Sequence, residues 1–383
     1  FIVMTAAGFS ALEIPNRIGD NLRTVITLEM GDKFAYADAL RTMRIDVLPE
    51  ENVKGRGLVR MGDSILEYQT ALALKAENDF ERAEAIARVA EDMKAHWSGR
   101  RAKPIPEIPE DFNMEDFMQT EEAQSMLADD RNLPIGYNEK NVAIYGINLA
   151  LTYCYLLTGK SRSGKTNALK VMMQSAAAKG GKVIVIDYAG ELKLLSESIN
   201  ATYISDDRTL YNYFNKDLLP VFKERNKKKK EWIAQGFSDE EIYQGMSREE
   251  KIFFFIGNMP DFIQHIYYPT DGVGAMNSFV ENLLDKGSMH NVFWFGVVGQ
   301  DDVLNVSGQQ AFTLFTRYKK GLHFGGNVQA QRLFNFDYVP YSMQSKSEKT
   351  GIAMVPAAEE ETVRKVVLPL AQHKRQAVVT EMP

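Results

Sequence analysis

The feature that most constrains this chain is a short run, Gly159, Lys160, Ser161, Arg162, Ser163, Gly164, Lys165 and Thr166. A glycine, four residues, a second glycine, a lysine and a hydroxyl residue form the pattern of a loop that wraps phosphate. The glycines let the backbone curl so that successive amides point inward, and a following helix adds the partial positive charge of its N-terminus. Lys165 is then placed to reach the outer phosphates, and the Thr166 hydroxyl to hold Mg²⁺. Such a loop needs a buried strand before it and a helix after it, and the flanks supply both. The apolar run CYLLTG precedes the loop, while Leu169, Met172, Met173 and Ala176 follow at helical spacing, with Gly180 and Gly181 as a stop signal. Residues 159–166 together with Asn167 are the expected nucleotide-binding set, with Lys165 and Thr166 in catalytic roles and Thr166 as the Mg²⁺ ligand.

From residue 156 onward apolar strands alternate with helices. KVIVID, IFFFIGN and NVFWFGVVG are apolar along their whole length, which predicts a mainly parallel sheet covered by helices on both faces, an α/β fold. Before the loop, residues 143–149 and 152–159 read as strands. The N-terminal part reads differently, as short strands over residues 1–6 and 23–30, a helix near 33–42, and a hairpin whose turn is Gly62 and Asp63. Residues 76–97 carry Phe80, Ala83, Ala87, Val89 and Met93 at helical spacing, and a proline-rich run over 103–109 then stiffens the chain. The expected organisation is therefore residues 1–75 as the end of one module, 76–110 as a linker and 111–383 as a second domain. With no initiator Met and a first segment that already reads as a strand, the chain is expected to be part of a longer polypeptide.

Composition narrows the function classes. Hydrophobic residues make up 45% and charged residues 25% of 383, the balance of a soluble globular protein with room for two cores. The formal net charge of −6 leaves no chain-wide basic field to hold a polyanion. The local basic run over 223–230 is followed by Asp239, Glu240 and Glu241, and reads as a solvated helix. The single cysteine, Cys154, excludes an intrachain disulfide and, lying in an apolar run, reads as a buried thiol. Apolar stretches such as 252–257 and 292–299 are well short of the ~20 residues a spanning helix needs. The five histidines show no metal-ligand spacing.

A phosphate loop that turns its ligand over also needs an acid at the end of a second buried strand to orient Mg²⁺, and a group that positions the attacking water. Three strand ends are candidates. KVIVIDYAGE ends in Asp187, with Glu191 close behind; Asp187 there is a metal-site acid, a helix cap or a ribose-side residue. IFFFIGNMPD is the most apolar, and Gly257 and Asn258 stand where a carboxylate is expected; Asp261 follows Pro260 and reads as a loop residue. NVFWFGVVGQDD ends in Gln300, Asp301 and Asp302, which sense an outer phosphate or open a solvated loop. Asp187 and Gln300 join Lys165 and Thr166 as candidate catalytic residues.

Around the loop the sequence resembles the FtsK/SpoIIIE class of P-loop motors, and within it the EssC/EccC ATPases of type VII secretion, at the last of their tandem ATPase modules. The likeness runs through nearly the whole chain. It is carried by NLPIGYNEKN, LLTGKSRSGKTN, VIVIDYAGEL, IFFFIGNMPDF and GLHFGGNVQAQRLFNFDYVP, while residues 15–74 resemble the closing strands of a preceding module. The resemblance implies a RecA-like core, ATP with Mg²⁺, and assembly with neighbouring ATPase modules or further copies. It also implies a membrane anchor elsewhere on the polypeptide, placing this part on the cytoplasmic side of the bacterial plasma membrane, and small helical WXG100-type proteins as cargo. In the family's active modules the strand matching IFFFIGN ends in adjacent acidic residues, so Gly257 and Asn258 imply weak or absent hydrolysis, and Asp187, on an earlier strand, is by the same resemblance not the expected Mg²⁺-orienting acid. Two other readings stay open. A DNA translocase of the FtsK type would share the loop, although the acidic balance and the shortness of residues 350–383 speak against it. A docking module that holds ATP without hydrolysing it would also fit.

Overall fold

The computed structural model describes residues 3–9, 14–100, 106–325, 328, 331–336, 339, 341–344, 348–356 and 363–371. The first two residues of the expected opening strand, three residues of the proline-rich run (103–105), seven positions within GLHFGGNVQAQRLFNFDYVP, and residues 357–362 and 372–383 of the C-terminal stretch lie outside that set.

The chain divides into two compact units, Phe1–Lys103 and Pro104–Pro383. The first holds a three-stranded antiparallel sheet of β1 (Ile26–Thr27), β2 (Arg56–Met61) and β3 (Ser64–Gln69). β2 and β3 form the expected hairpin around Gly62 and Asp63, with Gly62 at φ +62°. The helix Lys33–Leu40 starts on Asp32, whose carboxylate accepts from the Ala35 amide at 2.8 Å, and buries Tyr36 and Leu40 against Ile45 and Leu58. Residues 3–6 carry no strand, contrary to the reading of the opening segment. The helix Asp79–His96 forms where the spacing predicts it, but buries none of its residues; Phe80 and Met93 are exposed. Helical spacing there marks a helix without marking a core.

The second unit is built on a ten-stranded sheet of β4 (Asn132–Asn138), β5 (Ile144–Asn148), β6 (Cys154–Gly159), β7 (Lys182–Ile186), β8 (Thr202–Ile204), β9 (Ile252–Ile256), β10 (Val292–Gly299), β11 (Gly321–Phe324), β12 (Ile352–Val355) and β13 (Arg364–Val367). Its order is β5-β4-β13-β12-β11-β6-β10-β9-β7-β8. The run from β11 to β8 is parallel throughout; β12, β13, β4 and β5 add an antiparallel wing. The central strands β9 and β10 are apolar on both faces because each face packs into a core. Along β9, Phe253 and Phe255 enter one core while Ile252, Phe254 and Ile256 enter the other. β10 lies in register beside it, so that Phe293 stacks on Phe253, Trp294 on Phe254 and Phe295 on Phe255, with ring centroids 5.1, 4.1 and 5.0 Å apart.

The helix Lys165–Ala178 covers one face through Ala168, Leu169, Met172, Met173 and Ala176. Cys154 is buried, and burial pushes its thiol up to about 12. The basic run lies on the helix Leu219–Ala234. Its lysines are partly paired, Lys228 with Glu224 and Glu249 and Lys227 with Glu231, but Arg225 departs from the expected solvated face. Its guanidinium is buried and donates to the carbonyls of His290 and Glu250.

Candidate functional site

β6 ends at Gly159, whose φ of +138° few L side chains adopt and whose added Cβ would meet the Phe324 carbonyl at 2.0 Å. The chain then turns away from β11, with the Lys160 amide donating to that same carbonyl at 3.1 Å. Inside the loop the Ser163 hydroxyl donates to the Lys160 carbonyl, and the Gly351 amide donates to the Ser163 carbonyl, so the antiparallel wing buttresses the turn. Gly164, at φ +107°, opens the helix. The Lys165 ammonium lies over the loop and donates to the carbonyls of Gly159 and Lys160. Burial lowers its pKa below the usual lysine value, and the nearby charges of Asp302 and Asp301 pull it partly back.

The loop opens onto a cavity of about 250 Å³ at the C-terminal ends of the parallel strands. Gly159, Ser161, Lys165 and Thr166 line one side; Asp187 and Glu191 come from beyond β7, Gly257 and Asn258 from the end of β9, and Gln300, Asp301 and Asp302 from the end of β10. One cavity thus collects the candidates of three strand ends. Lys160, Arg162, Ser163, Gly164 and Asn167 do not line it. Asn167 is engaged elsewhere: its side-chain amide donates to the Pro369 carbonyl at 2.8 Å and accepts from the Ala371 amide at 3.0 Å. Asp261 also lies outside the cavity, and it stands in the first turn of the helix Met259–Tyr267 rather than in a loop.

Asp187 is 3% exposed. Its Oδ2 accepts from the Leu192 amide at 2.7 Å, at the start of the helix Lys193–Ser198, and from the Tyr203 hydroxyl at 3.3 Å; that hydroxyl also lies 3.0 Å from the Asp187 carbonyl. The Gln300 side-chain oxygen is buried and has no hydrogen-bond partner. Sequence reasoning assigned no role to Tyr203, which is a lone tyrosine on a three-residue strand and carries no local signal. It also passed over a buried polar pair at the root of the loop. His323 of β11 lies opposite Thr158 of β6; both are buried, the Thr158 hydroxyl and both His323 ring nitrogens lack partners, and burial pushes His323 down to about 4.

The donors facing the cavity are a hydroxyl and carboxylates, hard oxygen ligands of the kind Mg²⁺ takes. Among the described residues no group of three or more His, Cys, Asp or Glu side chains is placed to hold a metal.

No family model matches the chain. Over 176 residues, 46% of its length, it is 30% identical to the ESX secretion system protein EccC of Geobacillus thermodenitrificans (strain NG80-2), and that stretch spans 11% of the relative. The structure of EssC (ATPases 2 and 3) from Geobacillus thermodenitrificans aligns with a TM-score of 0.65 at 19% identity, covering 94% of this chain and 63% of that one. That of Thermomonospora curvata EccC (ATPases 2 and 3) in complex with a signal sequence peptide aligns at 0.52 and 16% identity, covering 92% and 59%. Strand order and loop define an α/β P-loop ATPase fold. The chain is homologous, in sequence and in structure, to an ATPase module of the EssC/EccC proteins of type VII secretion. Among the described residues no helix is long and apolar enough to cross a membrane.

Proposed function

We propose that Pro104–Pro383 is a module that binds Mg·ATP and hydrolyses it slowly or not at all, within the cytoplasmic part of a membrane-anchored type VII secretion protein. The observation that carries this reading is the convergence of Lys165 and Thr166 with the ends of β7, β9 and β10 on one cavity. Amides of residues 159–166 would hold the phosphates, Lys165 would neutralise the outer ones, and Thr166 would hold Mg²⁺, which supplies charge stabilisation when bound. Gly257 and Asn258 offer no carboxylate where the attacking water would be activated, which supports weak turnover. Gln300, with its unpartnered oxygen, is the candidate for reading the outer phosphate.

The unit Phe1–Lys103 is the closing part of the preceding ATPase module in this reading, supported by an alignment that carries 94% of the chain onto a structure holding two such modules. Its partners would be neighbouring modules, further copies of the same protein, and WXG100-type proteins or their signal sequence peptides. The nucleotide would set the module's grip on them, the role left to a site that binds without turnover. A DNA translocase is disfavoured by the acidic net charge and by the pairing of Lys227 and Lys228 of the basic helix with Glu231, Glu224 and Glu249.

Calorimetric titration with Mg·ATP tests the reading. Lys165→Ala is expected to abolish the binding seen in the parent chain; equal affinity in the two would end the assignment.

A further inference from the structure

β7 and β9 are parallel neighbours, with Ile186 opposite Ile256 and the Gly257 amide donating to the Ile186 carbonyl at 3.0 Å. The next residues, Asp187 and Gly257, therefore leave the sheet at the same level. A Cβ added to Gly257 would lie 3.2 Å from Asp187 Oδ1. The Asp187 carboxylate thus fills the space that a side chain at position 257 would enter. It is also held there: Oδ2 takes the described hydrogen bonds from Leu192 and Tyr203, while Oδ1 faces Gly257 in the cavity shared with Thr166. Neither partner is a cation, and a buried carboxylate without one is costly unless a positive charge joins it.

We infer that Asp187 is the acid through which this site selects a metal-chelated triphosphate, supplied from β7 across the bare backbone of Gly257 rather than from β9. The inference rests on the nucleotide reading and deepens it. Two residues with backbones side by side can deliver a carboxylate to one point from either strand, provided the other strand leaves room; glycine at 257 leaves that room. At the second position Asn258 is uncharged, and the other carboxylates of the cavity, Glu191, Asp301 and Asp302, come from beyond β7 and β10 rather than from β9. The arrangement accordingly serves metal binding and orientation rather than activation of water, in keeping with occupancy without turnover.

The test compares ATP affinity in Mg²⁺ with ATP affinity in EDTA for three proteins: the parent chain, Asp187→Asn, and the exchange Asp187→Ala with Gly257→Asp, in which alanine vacates the space beside position 257. The parent chain is expected to prefer Mg·ATP by on the order of tenfold or more. Asp187→Asn keeps an acceptor for Leu192 and Tyr203 yet removes the charge; it should lose most of the preference while metal-free ATP binds as well or better. The exchange should recover part of the preference, because the φ of Gly257 lies outside the left-handed range and the truncated side chain at 187 leaves the acid room at the same point. An unchanged preference in Asp187→Asn overturns the inference alone. If Asp187→Asn fails to fold or weakens binding equally in both media, and the exchange restores no preference, Asp187 is a structural residue and the inference is overturned. Absence of binding by the parent chain in either medium overturns the nucleotide reading and this inference with it.

Discussion

β6 ends in a glycine and β9 is followed by one, for different physical reasons. At Gly159 the backbone itself demands it, since φ is +138° and an added Cβ would sit 2.0 Å from a main-chain oxygen that has nowhere to go. At Gly257 the φ is ordinary, and an added Cβ would meet only side-chain atoms, Asp187 Oδ1 at 3.2 Å and Leu192 Cδ1 at 3.4 Å. The corner proposed to bind phosphate is thus written into the main chain and its junction with β11, whereas the corner proposed to carry an acid is written in side chains. Binding and turnover can separate for this reason: loss of one set of side chains leaves the other corner intact.

That contrast can be broken at several points. The largest effect is expected for Gly159→Val, which must force β6 and β11 apart; stability should fall by about 3 kcal/mol or more, read as a lowered melting temperature, with nucleotide binding lost. Gly164→Ala combines φ +107° with a Cβ 3.0 Å from the Gly351 amide, and about 1–3 kcal/mol should be lost in the same assay. Gly257→Ala needs only a small side-chain shift, so a change within about 1.5 kcal/mol is expected; a loss as large as that at Gly159 would erase the distinction between the corners. Gly257→Asp with Asn258→Glu should raise phosphate release above the parent chain, most visibly when combined with Asp187→Ala, which relieves crowding and like charge at position 187.

The smallest effect concerns pH. His323, against the root of the loop, and His290, beneath Arg225, are each pushed by burial from 6.5 to about 4, so the fold favours their neutral forms. The unfolded chain takes up protons first as pH falls below 6.5; the stability they contribute is complete above that value and is lost on the way down through 4. The melting temperature should decline over that interval, and His323→Gln should flatten the decline. An unaltered slope would remove His323 from the account.

The parallel centre was legible because its strands are long apolar runs and the loop has a fixed spacing. Of the antiparallel wing only β5 was, inside residues 143–149. β12 and β13 are four residues each, too short for a period to register, and β4 contains Pro134 and Gly136, which read as breakers. Gly136 is there for packing: a Cβ would press within 2.3 Å of the Val367 carbonyl of β13. At the site, the residue types and their strand ends were readable, since strand termini of a parallel sheet converge on one edge. What could not be read was which atom of Asp187 faces the cavity, because that depends on Tyr203 and Leu192, contacts that arise only after β7 and β8 pair. The exposure of the helix Asp79–His96 was equally hidden, since periodicity records an apolar stripe and not what covers it.

The loop is proposed to be a nucleotide site in which binding proceeds without rapid turnover. It is tested most directly by incubating the chain with labelled Mg·ATP, isolating the complex and identifying the nucleotide recovered from it. The account predicts one equivalent of intact ATP per chain, lost in Lys165→Ala; recovery of no nucleotide, or of ADP after many turnovers, would contradict it.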